Sequence, residues 1–235
     1  MSHAAWNPVT PDLSRTRTVI AFDIAGFGST PPLPDRVRPT ISNLVDALEQ
    51  TLGDIGLWHP VDFAGNSLGG AMALEAARRG IARSVVAISP IGLWRDVPPP
   101  HVRYVFRGLR FMVTHAPGLV KAAVRRPLLR EVVLAVPLSV GSRRMPVADA
   151  VRAVDDLASA RAFEATLEHT RAPFSGVGIR VPVTVAFGDC DWILTQRARR
   201  RSALPPHTVW VEKSGWGHVP MSVDAAGVAQ LIGTE

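Results

Sequence analysis

Cysteine is nearly absent: Cys190 is the only one in 235 residues, which excludes an internal disulfide and a thiolate metal cluster and makes the cytoplasm the expected location. No run of eighteen apolar residues survives without a charge or a proline, so no membrane span is expected. Residues 1–7 lack the basic start and apolar run of a secretion signal. Internal repeats and low-complexity tracts are missing too. Tyrosine occurs once and lysine twice, so 24 of the 26 basic residues are arginine. A net charge of +6 raises the question of nucleic acid. No aromatics alternate with basic residues to make a base-stacking platform, however. The one dense cluster, Arg197, Arg199, Arg200 and Arg201, reads as solvated surface. The expectation is no nucleic-acid and no membrane partner.

What is present is ordinary globular material, 47% hydrophobic and 20% charged, long enough for one α/β domain with a full core. Five short apolar runs read as strands: Thr18 to Asp23, Val61 to Gly65, Ser84 to Ser89, Pro182 to Gly188 and His207 to Glu212. Apolar at nearly every position, they suit a parallel sheet covered on both faces. Ile41 to Leu57 carries Ile41, Leu44, Val45, Leu48, Leu52 and Ile55 at helical spacing, with Thr40 as N-cap. Leu68 to Arg79 is an alanine-rich helix stopped by Gly80. Alternating strand and helix define an α/β protein. Residues 91–180 break the rhythm with helical spacing cut by prolines, among them Pro117, Pro127, Pro137 and Pro146. This reads as a helical subdomain inserted into a core made of 1–90 and 181–235.

The strand Val61 to Ala64 runs into Gly65-Asn66-Ser67-Leu68-Gly69-Gly70, a G-x-S-x-G pattern that then opens a helix. To lift its hydroxyl above a sheet, Ser67 must occupy a strained turn, and a Cβ two residues to either side is expected to collide with backbone. The helix N-terminus adds N–H groups and positive dipole. A serine needs an oriented base. Of seven histidines, His218 alone lies in a glycine-flanked loop just after the last strand. His3, His59, His101, His115, His169 and His207 read as surface or packing residues. The partner carboxylate is sought in Gly188-Asp189-Cys190-Asp191-Trp192, which offers Asp189 or Asp191, with Asp96 as a substitute. Cys190 reads as structural, because an adjacent carboxylate raises a thiol's pKa. A nucleotide site on Gly26-x-Gly28 fails at Pro31, where a third glycine is needed. No histidine pair has metal-ligand spacing, so neither metal nor cofactor is expected.

Together these motifs resemble the α/β-hydrolase superfamily over nearly the whole chain. Asp23-Ile24-Ala25-Gly26-Phe27-Gly28-Ser29 is similar to a loop of that family, Gly65 to Gly69 to its nucleophile elbow, Gly188 to Asp191 to its acid loop, and Gly217-His218 to its histidine loop. The order Ser, Asp, His is the family's as well. By that resemblance Ser67 is nucleophile, Asp191 acid, His218 base and the 91–180 insertion a cap. Leu68 N–H is an oxyanion donor, and Asn66, Trp192 and Val219 contact substrate. A serine in the elbow argues against the epoxide hydrolase and haloalkane dehalogenase branches, which place aspartate there. Gly-Asn-Ser-Leu-Gly-Gly also resembles hydrolases of carbon–carbon bonds, although those tend to have tryptophan where Val219 stands.

The resemblance implies two or three strands and a His-Gly oxyanion loop before the segment Trp6 to Val9. One of those strands belongs between Thr18 to Asp23 and Val61 to Gly65. A longer natural protein is therefore expected, rather than direct pairing of these two strands, and the second oxyanion donor is expected to be missing here. The expected activity is that of a carboxylic ester hydrolase, impaired to that extent. Its substrate is a small ester or related acyl compound with an apolar part, received by Phe106, Phe111, Met112, Leu128 and Val132 with few fixed charges beside them. The alternatives are a non-catalytic binding protein on the same scaffold and a carbon–carbon bond hydrolase.

Overall fold

Side chains apolar on successive residues can be satisfied only when both faces of a strand are covered, and the elements arrange themselves accordingly. The computed structural model describes residues 2–58, 60–135, 138 and 140–233; His59 and Pro137 lie outside them. In chain order the elements are α1 (Thr10–Leu13), α2 (Ile41–Asp54), β1 (Val61–Asn66), α3 (Leu68–Arg78), β2 (Ala82–Ile88), α4 (Pro100–His115), α5 (Pro117–Val124), α6 (Pro127–Ala135), α7 (Val147–Ser159), α8 (Phe163–His169), β3 (Val183–Gly188), β4 (Val209–Lys213) and α9 (Ala225–Gly233). Among the described residues four strands form one parallel sheet in the order β1-β2-β3-β4. Helices α4 to α8 all fall between β2 and β3. Among the described residues no helix is long and apolar enough to cross a membrane.

Alternate residues of the strands feed two cores. Val85, Ala87, Val183, Val185 and Phe187 pack with Ala73, Leu74 and Ala77 of α3, whose small side chains let the helix lie close to the sheet. Val86, Ile88 and Ala186 pack on the other face with Val9, Leu13 and the α9 residues Val228, Leu231 and Ile232. Helix α2 begins as its sequence demands: Asn43 N donates to Thr40 Oγ1 at 3.2 Å. At the end of α3, Gly80 takes a φ of 78°.

One expected strand does not form. Residues 18–23 pair with no strand, and β1 is the sheet's edge, with Asp62 and Ala64 exposed. A ladder needs a neighbour on its own edge. Instead this segment lies over the α9 face, where Val19 packs into that core and Arg17 Nη1 donates to Ile232 O at 3.4 Å.

The loop after it is pinned by Asp23. Its carboxylate accepts from His3 N at 2.6 Å, Ser29 N at 2.9 Å and Ser29 Oγ at 3.0 Å, and lies 2.9 Å from His3 Nδ1. Burial alone would raise its pKa; the bonds from His3 and Ser29 outweigh that and bring it from 3.8 down to about 2. A depressed carboxylate stabilises the fold above its unfolded pKa and loses that contribution as pH falls through the folded value. Asp23→Asn should therefore cost about 2 kcal/mol at pH 7. Denaturant unfolding at several pH values should show the gap between wild type and variant narrow from about pH 4 and close near pH 2.

Candidate active site

Strand β1 delivers Ser67 to the first turn of α3 in a conformation that few side chains adopt, φ 55° and ψ −112°. Such strain costs about 1–3 kcal/mol and persists only where surroundings enforce it. They do: Ser67 N donates to Ile88 O at 2.9 Å, and Ser67 O accepts from Ala71 N at 3.1 Å and Ile91 N at 3.2 Å. Gly65 makes the turn possible, since a Cβ there would lie 2.1 Å from the Gly69 carbonyl oxygen. The expected collision at the second motif glycine is absent: a Cβ on Gly69 meets open space, and the close approach belongs to Gly70, 3.1 Å from both Gly65 O and Pro90 Cβ.

Three loops at the C-terminal edge of the sheet bring their side chains together. Ser67 Oγ lies 2.9 Å from His218 Nε2, and His218 Nδ1 lies 3.0 Å from Asp191 Oδ2. The other carboxylate oxygen, Asp191 Oδ1, accepts from Ile193 N at 3.0 Å and Leu194 N at 2.9 Å. His218 and Asp191 are buried, whereas Ser67 remains partly open. Burial would raise the Asp191 pKa, but the adjacent His218 ring and the Leu194 N–H prevail and hold it below the usual carboxylate range. Leu68 N–H opens α3, where an amide has no acceptor within the helix. From α4, Phe106 sets its ring edge-on to His218, 6.4 Å between centroids.

Asp189 points elsewhere. It accepts from Gly215 N at 2.7 Å and Ser214 Oγ at 3.1 Å, which tie the acid loop to the histidine loop. Its carboxylate also pushes the Cys190 thiol pKa up. Asp96 is exposed after β2. Asn66 does not offer its amide to a ligand, because Nδ2 donates to His218 O at 2.8 Å and Ile88 O at 3.2 Å. Val219 is buried in the α9-side core. Trp192 is half exposed beside the acid loop, and His101 Nε2 lies 3.2 Å from its carbonyl oxygen. Of the apolar residues expected over the pocket, only Phe106 faces His218; Phe111, Met112, Leu128 and Val132 are exposed, as helices 4 to 6 turn those positions to water.

The residue that sequence reading missed is Arg199. Instead of belonging to a solvated cluster, its side chain is only 7% exposed. Nε donates to Leu194 O at 2.6 Å, and Nη2 donates to Gly188 O at 3.0 Å and Asp191 O at 3.3 Å. The guanidinium lies 4.6 Å above the Phe187 ring. A planar fork of donors thus clamps both ends of the acid loop. Gly188 completes the fit, since a Cβ there would be 1.9 Å from Trp216 O. Position within an arginine run gave no signal of this role.

Ser67, His218 and Asp191 have the relative geometry of nucleophile, base and orienting acid, and the sheet edge that carries them is characteristic of one class. The chain belongs to the α/β hydrolase family, whose sequence profile matches residues 1–231; it is an enzyme of the hydrolase type. Among curated relatives, it is 28% identical over 208 residues to epoxide hydrolase EphH of Mycobacterium tuberculosis, covering 80% of this chain and 91% of that one. A shorter match, 42% over 76 residues, is to 2-hydroxy-6-oxo-2,4-heptadienoate hydrolase of Pseudomonas putida, with 32% of this chain and 27% of the relative covered. In fold it resembles a thermophilic esterase from Thermogutta terrifontis (TM-score 0.71, 19% identity, 100% of this chain and 85% of that one). It likewise resembles the enol-lactonase from Burkholderia xenovorans LB400 (TM-score 0.69, 21% identity, 100% and 87%).

Removing the Arg199 clamp should loosen the Asp191 carboxylate without touching the serine. Arg199→Met is expected to lower kcat roughly 10- to 100-fold with KM little changed. Steady-state kinetics on a simple ester, with circular dichroism to verify folding, provide the check; an unchanged kcat in a folded variant would remove the clamp from catalysis.

Proposed function

We propose that this hydrolase cleaves a small ester or related acyl compound through an acyl-enzyme, with Ser67 as nucleophile, His218 as base and Asp191 as the acid that orients it. The observation that carries the reading is the continuous contact from Ser67 Oγ through His218 to the buried Asp191, at 2.9 and 3.0 Å. His218 takes the Ser67 proton as Oγ bonds to the carbonyl carbon, then returns it to the leaving group. Water, deprotonated by His218, attacks the acyl carbon, and the acid departs with Ser67 restored. Leu68 N–H supplies one hydrogen bond to the developing oxyanion, worth about 3 kcal/mol. Residues 91–180 act as the cap, with Phe106 as their contact to the site.

The chemistry of serine also bears on the relative named as an epoxide hydrolase. An epoxide opened by Ser67 would leave an ether that water does not readily cleave, so turnover would stop after one event. An acylated Ser67 is an ester and is released. A carbon–carbon bond hydrolase is the second reading, favoured by the 42% match to a dienoate hydrolase; it would use the same residues on a ketone.

Intact-mass labelling with a fluorophosphonate should give one adduct per chain, absent in Ser67→Ala. A folded chain that takes up no label would overturn the proposal. Asp191→Asn should lower kcat by roughly 10³- to 10⁴-fold through the wrong imidazole tautomer, with Asp189→Asn near wild type. An Asp191→Asn rate within a few-fold of wild type would reassign the acid. Turnover of a vinylogous diketone faster than of any simple ester would favour the second reading.

A further inference from the structure

Charge and apolar exposure coincide on the helical segment between β2 and β3. Residues 91–180 hold 14 of the 26 basic residues but only 7 of the 20 acidic ones, a net of +7 that leaves −1 for the rest of the chain. The entire positive excess therefore belongs to this segment. The expectation of few fixed charges there is overturned.

Helices α4, α5 and α6 pack on one another in sequence. Their inner stripes, Val113, Val120, Val124 and Leu134, are buried against Ala150 and Val154 of α7. Other positions on the same helices carry large apolar side chains into water: Tyr104 and Phe111 on α4, Leu119 on α5, and Leu128, Leu129 and Val132 on α6, of which Tyr104, Leu128 and Val132 are 73–75% exposed. The helical core is already closed without them. Leu128, Leu129 and Val132 stand within two turns of α6, next in sequence to Arg125 and Arg126, and exposed apolar residues clustered in this way mark an interaction surface.

Arg110 and Arg130 on the same helices donate to backbone carbonyls, and the other basic residues divide into two groups. Arg103, Arg107 and Lys121 are paired internally, with Glu168, Glu164 and Asp155. Arg125 and Arg126, in the α5–α6 turn directly before Leu128 and Leu129, are exposed and form no ion pair among the described residues. We propose that this face docks on an anionic lipid surface, with the apolar side chains entering the headgroup boundary and Arg125 and Arg126 meeting lipid phosphates. A second copy of the chain would oppose +7 to +7. A soluble acidic partner would satisfy the charge and leave the apolar residues unexplained. The inference is independent of the acyl-enzyme reading, and it concerns peripheral contact rather than a membrane span.

The test is flotation of the whole protein with vesicles of phosphatidylcholine alone or with phosphatidylglycerol added to give an anionic surface. Binding is expected to the anionic vesicles only and to fall steeply as salt is raised. Each of Arg125→Glu and Arg126→Glu should weaken it about fivefold or more. Leu128→Asp with Val132→Asp should abolish it, and all variants should keep wild-type activity on a soluble ester. Absence of binding at low salt overturns the proposal. So does a dimer in sedimentation that Leu128→Asp dissociates, which would make a second copy the occupant. Retention of the Leu128→Asp, Val132→Asp variant on vesicles, with equal affinity for polyglutamate, would point to an acidic macromolecule instead.

Discussion

The contact on which the site depends is the 3.0 Å approach of His218 Nδ1 to Asp191 Oδ2, sealed from water. An isolated carboxylate at such depth is costly, and Asp191 is tolerable there because a ring and two backbone amides answer it. The amides belong to the acid loop itself but the ring comes from the loop after β4, so the contact holds only if the loops after β3 and β4 keep their relative position. Three devices do this. Gly188 lets the acid loop touch the Trp216 backbone, Asp189 ties it to residues 214 and 215, and Asn66 links the elbow to the His218 carbonyl. Beneath them Arg199 grips the acid loop through its carbonyls.

Arginine does two opposite jobs in this chain. The side chains of Arg199 and Arg130 are withdrawn from water with their guanidinium donors turned to carbonyl oxygens: Arg130 reaches Ser142 O, Val124 O and Arg143 O at 2.8 Å each. A weakly hydrated, planar cation tolerates that setting better than lysine does. Arg125 and Arg126 remain in water. Desolvation pulls the Arg199 pKa down, with Asp191 and Glu212 opposing it, so the same residue type serves as internal scaffold in one place and surface charge in another.

Much of the architecture was legible in the sequence because parallel strands and amphipathic helices write their burial into periodicity. The four strands of the sheet, the Thr40 cap, the stop at Gly80 and the helices between β2 and β3 all follow from that. Residues 18–23 carry the same apolar signature and form no ladder, since pairing depends on a neighbour that no local pattern encodes. Phe111, Met112, Leu128 and Val132 mislead for a related reason: an apolar residue at helical spacing can face either core or water, and the neighbouring helices decide which.

Of the candidate site, Ser67 and His218 stood out in sequence, because a glycine-flanked turn after a strand is a local, steric device. The choice between Asp189 and Asp191 was not local. Two carboxylates two positions apart differ by which way the loop turns them, and that direction is set by Arg199, Gly188 and the Trp216 backbone, none of which is adjacent to both. Sequence by itself determined most of the elements, residues 18–23 excepted, and the chemical types available at the sheet edge. Tertiary structure alone decided which of them meet, because meeting depends on distances of a few ångströms between segments as far apart in sequence as Ser67 and His218, 151 residues.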